Sequence, residues 1–150
     1  MCTLRAHFVS ESWGIAVNTK YDALQVSFGR CLRRPGFIER FYEVLLASHP
    51  SIPPMFARTD FRGQRLALRR GISMAISWAA GSTMVRRPMQ QMIDVHSRTG
   101  RAPVEPALYA CWVDCLLQSI GEYDPELTPD LAREWRDAMN KVVSNFAEHY

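Results

Sequence analysis

Apolar residues recur at intervals of three and four along most of the chain, and the strict alternation of a half-buried strand is nearly absent. That period predicts an all-α protein. Residues 1–20 show no clean period and are expected to form an N-terminal extension ahead of one domain over residues 21–150. Leu24, Phe28, Cys31 and Leu32 share the face of a first short helix, which Pro35-Gly36 punctuates. Phe37, Phe41 and Leu45 mark a second helix running to Ser48. Three prolines within Pro50–Pro54 are expected to break it, and Phe56 follows the break.

A long helix is expected from about Asp60, a suitable N-cap, to Ala79. One face carries Phe61, Gln64, Leu68, Ile72, Ala75 and Ala79, and another carries Arg62, Arg65 and Arg69 at solvent spacing. Gly81-Ser82 ends it. Pro88 suits the start of the next helix, whose stripe is Met89, Met92, Ile93 and then His96, with Gly100 as the stop. Pro106 opens another, with Tyr109, Trp112, Val113, Leu116, Leu117 and Ile120 on a wide apolar face. Thr128-Pro129 reads as an N-cap followed by proline at the first helical position. The last helix is expected to bury Leu131, Trp135, Ala138, Met139, Val142 and Phe146.

Composition fits this picture. The 150 residues are 47% hydrophobic and 22% charged, which suits one globular domain and argues against a disordered chain. No apolar run approaches the roughly 20 residues of a membrane span. The first residues lack the apolar core of a secretory signal, so a cytoplasmic protein with free thiols at its four cysteines is expected. The net charge of +3 hides a segregation: residues 30–101 hold thirteen arginines against four acids, and residues 102–150 hold three basic side chains against nine acids. Such polarity fits an anionic ligand, self-association or a nucleic-acid face; it also fits two halves that lie together and neutralise each other.

Three polar residues interrupt apolar faces. His96 continues the stripe of Met89, Met92 and Ile93, and reads either as a core histidine with a bonded ring or as a metal ligand. Gln64 is polar yet lies on the stripe of Phe61, Leu68 and Ile72, where it reads as a helix-edge amide touching water. Tyr42 neighbours the buried face of the second helix, where a phenol needs a partner. Cys111 and Cys115 lie four apart on one helix, but no second ligand pair makes a zinc site. A haem iron needs one strong axial ligand from the protein, because the porphyrin supplies four, so a single histidine on an apolar helix suits haem better than zinc. Gly71-Ile72-Ser73-Met74-Ala75 lacks the strand a nucleophile elbow needs, and no glycine-rich phosphate loop is present. The arginines lack the aromatic interleaving of a base-stacking surface.

Taken together, residues 21–150 resemble a bacterial single-domain globin, related to the globin domain of flavohaemoglobins. Phe41-Tyr42, Leu45-Leu46, His49-Pro50 and Phe56 are similar to the family's segment from the second helix to the corner. The 32 residues from Gln64 to His96 match the family's spacing from distal to proximal position. Leu108-Tyr109, Trp112 and Leu116-Leu117 are similar to the helix that follows the proximal ligand.

The resemblance implies a three-over-three helical sandwich holding one haem b, that is, iron protoporphyrin IX. It makes His96 the metal ligand and turns Tyr42 and Gln64 toward a diatomic gas (oxygen, carbon monoxide or nitric oxide). Phe56, Leu68, Met92, Val104, Tyr109 and Trp112 then line the porphyrin, with Arg98 or Arg101 as propionate partners. Tyr109 matches the tyrosine that backs the proximal histidine in flavohaemoglobins. The accompanying glutamate falls near Tyr150, so that support is missing or rebuilt. The leading function implied is reversible oxygen binding for storage, delivery or sensing. A second is redox catalysis on nitric oxide or peroxide with an external reductase, and a third is a haem-free signalling module of globin shape. No nucleic-acid or membrane partner is expected, and the chain is read as a monomer or homodimer.

Overall fold

The computed structural model describes residues 19–150. Among these the chain forms seven α-helices and no strand: α1 (Thr19–Arg33), α2 (Phe37–Ser48), α3 (Ile52–Met55), α4 (Phe61–Ala79), α5 (Arg86–His96), α6 (Tyr109–Tyr123) and α7 (Pro129–Glu148). The expected extension lies outside the described residues except for its last two positions, where α1 already begins.

Helix boundaries follow local chemistry. The Asp60 carboxylate accepts from the Arg62 amide at 3.1 Å, and the Thr128 hydroxyl accepts from the Leu131 amide at 3.2 Å, so both expected caps form. At the far end of α4, Gly81 takes a φ of 87°, its amide donates to the Trp78 carbonyl, and the Ser82 amide donates to the Ser77 carbonyl. This double turn satisfies two terminal carbonyls and needs a residue that tolerates the left-handed region. The proline segment breaks the chain of helices as expected. It ends α2, but Pro53 and Pro54 then sit inside the first turn of α3, where their missing N–H groups have no intrahelical partner to lose. Pro106 opens a 3₁₀ turn, Pro106–Leu108, that leads into α6.

The contacts sort the helices into two layers of three: α1, α4 and α5 over α2, α6 and α7, with α3 attached to α2. Between the layers lie Phe37, Phe41, Ile72, Ile76, Met89, Leu116, Ile120, Trp135 and Met139, each nearly or wholly buried. No helix among the described residues is long and apolar enough to cross a membrane.

One polar cluster is built into this core. The Asp124 carboxylate, just past α6, is 3% exposed. Arg30 of α1 binds it through two nitrogens at 2.6 and 2.9 Å, and the Ser27 hydroxyl donates at 2.6 Å. The Glu126 amide donates to it at 2.9 Å, and Trp135 of α7 donates its indole N–H to Ser27 at 2.9 Å. Arg40 reaches Glu122 at 2.7 Å nearby. Basic residues of the middle third thus face acids of the last third, which is how the charge segregation is partly neutralised within one molecule.

Asp124→Ala is expected to cost about 1–3 kcal/mol, because it removes the acceptor shared by Arg30 and the buried Ser27 hydroxyl and leaves Arg30 only the exposed Glu126 carboxylate at 3.3 Å. Urea unfolding measures this, and a loss below about 1 kcal/mol contradicts it. Burial opposes ionisation of Asp124, but bonds from Arg30, Ser27 and the Glu126 amide outweigh it and hold the carboxyl below its usual range. The stability from this group is therefore complete above the unfolded carboxyl's pKa of about 3.9 and is lost as pH falls from there through the lower folded value.

Candidate functional site

α5 presents Met89 and Ile93 to the core and leaves Met92 and His96 half-buried on the same side. His96 is the last residue of α5, and its Nδ1 lies 3.1 Å from the carbonyl oxygen of Ala102. A carbonyl oxygen only accepts, so Nδ1 carries the proton and Nε2 keeps its lone pair. Burial pushes the His96 pKa below its ordinary value; the bond to Ala102 opposes this and the charge of Arg101 adds to it. The phenyl ring of Phe146 from α7 lies 5.8 Å from the imidazole between centroids. Tyr109 sits edge-on to the other side of this cluster, 5.8 Å from Phe146, with its phenol pushed up to about 12 by burial. Phe146 is the ring that His96 and Tyr109 share. Among the described residues no carboxylate contacts the imidazole.

A second cluster gathers where α2, α3 and α4 meet. Tyr42 is 5% exposed, with its ring 5.5 Å from Phe61 and 5.8 Å from Phe56. Phe56 and Phe61 stack at 6.0 Å. The Tyr42 hydroxyl donates to the Gln64 backbone carbonyl at 3.4 Å, long for an O–H donor. Burial raises its pKa to about 12, so the phenol stays protonated at neutral pH. Gln64 and Leu68 are half-buried, one turn apart on α4. Trp112 packs edge-on to Phe41 at 6.0 Å, behind Tyr42.

The two clusters are joined by packing between α4 and α5. Met92 Cε lies 3.5 Å from the point a β-carbon on Gly71 would occupy. Gln64 and Leu68 therefore lead along α4 to this crossing, and His96 lies one turn beyond it on α5. The Val104 amide donates to the His96 carbonyl at 3.1 Å, and the Val104 side chain is half-buried. The two arginines divide. Arg101 is exposed and close enough to His96 to act on its pKa. Arg98 turns to the chain end, with its amide on the Tyr150 carbonyl at 3.3 Å and its guanidinium 4.9 Å over the Tyr150 ring.

Phe61 and Phe146 belong to this arrangement although sequence reasoning gave them only core positions. Their apolar periodicity was visible, but nothing local distinguishes a ring that packs on His96 from one that fills a core. The Ala102 carbonyl is backbone and leaves no side-chain signal.

No family profile matches the chain, and no curated protein matches it. Among solved structures, it is similar to a protein of Pseudomonas aeruginosa described as structurally highly homologous to a human hemoglobin. The two are 32% identical, with a TM-score of 0.82 over 87% of this chain and 98% of that one.

Phe56→Ala removes a half-buried ring from the Tyr42 cluster. Its expected cost is about half of the ~3–5 kcal/mol of a fully buried phenyl. A melting temperature unchanged within error contradicts that packing.

Proposed function

The chain belongs to the bacterial globins, and on that premise we propose that it holds one haem b, with His96 as the metal ligand, and binds oxygen reversibly. The observation that carries this reading is the state of His96. Its Nδ1–H is spent on a backbone carbonyl, and its lowered pKa keeps the ring neutral. The remaining lone pair on Nε2 is the donor that an axial ligand to iron must offer. The residues present therefore fit the group. When bound, haem would supply an iron able to take up a diatomic gas. Phe56, Leu68, Met92, Val104 and Trp112 give it apolar, water-excluding walls, and Arg101 is the better placed of the two arginines for a propionate.

Tyr42 and Gln64 supply polarity on the other side. A buried phenol at neutral pH is a donor, and its present bond to Gln64 is long and easily exchanged for a better acceptor. The Gln64 side chain adds an amide N–H. Both favour a gas that accumulates negative charge, as oxygen does, over carbon monoxide.

The partner of His96 favours oxygen binding over redox catalysis with an external reductase. A carboxylate behind a ligating imidazole raises its basicity. Here the acceptor is a neutral carbonyl, and Phe146 stands behind the ring.

His96→Ala is expected to abolish stable haem retention, read as loss of the Soret band after gel filtration; a mutant that keeps full haem with an unchanged ferrous spectrum rejects His96 as the ligand. Tyr42→Phe is expected to raise the oxygen dissociation rate about tenfold, the equivalent of about 1.4 kcal/mol, with little change for carbon monoxide. Stopped-flow ligand replacement measures both rates, and equal oxygen off-rates in mutant and wild type leave Tyr42 without that role.

A further inference from the structure

The segment after α5 folds back on the end of the helix. The Ser97 amide and hydroxyl bond the Asp94 carbonyl at 3.3 and 2.8 Å, and the Gly100 amide bonds the Ser97 carbonyl at 2.9 Å. The Ala102 amide then donates to the Val95 carbonyl at 3.0 Å, and the Val104 amide to the His96 carbonyl at 3.1 Å. This return path sets the Ala102 carbonyl against the imidazole. At its tightest point lies Gly100. A β-carbon there would fall inside the van der Waals radii of the Asp94 and Val95 carbonyl oxygens and 2.6 Å from the Val95 carbonyl carbon. All three are backbone atoms, so no flexible side chain can yield. Gly100 has no positive φ, so it is space rather than backbone conformation that demands glycine.

We propose that Gly100 is a positioning residue for His96: by letting residues 97–104 close onto the end of α5, it brings the Ala102 carbonyl to Nδ1 and fixes which imidazole nitrogen is free. The chemistry is all-or-none at the ring. A neutral imidazole has one N–H and one lone pair, and with the Ala102 carbonyl withdrawn nothing described in the structure holds the proton on Nδ1. Any other residue at position 100 lifts the loop, breaks the Ala102–Val95 bond and releases that constraint. The role of this tautomer in holding iron rests on the reading of His96 as the haem ligand; the fixing of the tautomer does not.

The test uses the full-length chain before haem is added, 15N-labelled, at about pH 8, above the ordinary imidazole pKa of about 6.5. His49 is an internal reference of opposite sense: the Ser51 amide donates to its Nδ1 at 3.0 Å, which places its proton on Nε2. Imidazole proton–nitrogen correlation spectra should show His96 with its proton on Nδ1. In Gly100→Ala that single-tautomer pattern is expected to be lost for His96 and kept for His49. With haem added, the ferrous iron–histidine stretching band should shift and broaden in the variant. If haem binds neither protein, the ligand reading fails while the tautomer result still decides the role of Gly100. Should Gly100→Ala not fold by circular dichroism, Ala102→Pro removes the amide bond to Val95 without touching Gly100, and the same loss is expected. A His96 pattern identical to wild type in the folded variant overturns the proposal.

Discussion

A carboxylate buried between two helical layers must find donors, and the Asp124 side chain takes them from three helices or their ends. Arg30 and Ser27 come from α1, the Glu126 amide from the turn after α6, and Trp135 of α7 joins through Ser27. An unpaired charge there costs several kcal/mol, so alternative packings of α1 on α6 and α7 are strongly penalised. Apolar stripes are tolerant of small slips; this cluster is not. With α1, α6 and α7 held in register, α4 packs against α1 and α7, and α5 packs against α4 and α7. The positions of Gln64 and His96 follow from that chain of contacts.

The site couples two kinds of environment. Around Tyr42 it is aromatic, with Phe41, Phe56 and Phe61 keeping water from a protonated phenol. Around His96 it is partly apolar but closed by backbone: a carbonyl on one ring nitrogen, a phenyl ring beside it, and a loop that returns to the helix end. Both arrangements hold a titratable group in its neutral form near neutral pH, one as a donor and the other as a lone-pair acceptor.

The ring contacts of His96 are neutral and aromatic. The ring of Tyr109, which the resemblance sets behind His96, meets Phe146. Tyr150 anchors Arg98 through its carbonyl and its ring. Among the described residues, the imidazole of His96 is contacted by a neutral carbonyl and an aromatic ring rather than by a carboxylate.

The sequence by itself determined the all-α class, every described helix but α3, the caps at Asp60 and Thr128, and the anomalies at Tyr42, Gln64 and His96. These are local properties: periodicity, a capping carboxylate or hydroxyl, and a polar side chain on an apolar face are all written within a turn or two. Only the tertiary structure decided what those anomalies touch. Ser27, Asp124 and Arg30 look like ordinary surface residues along the chain, because their pairing spans 94 to 97 positions. The helical turn at Pro53-Pro54 was hidden because the cost of proline depends on where a helix starts, and packing set that start. Gly100 read as a simple helix stop, whereas its real constraint is the closeness of the Asp94 and Val95 carbonyls. The tautomer of His96 depends on the Ala102 carbonyl, and a backbone oxygen is common to every residue. No sequence pattern distinguishes the one that folds back to meet an imidazole.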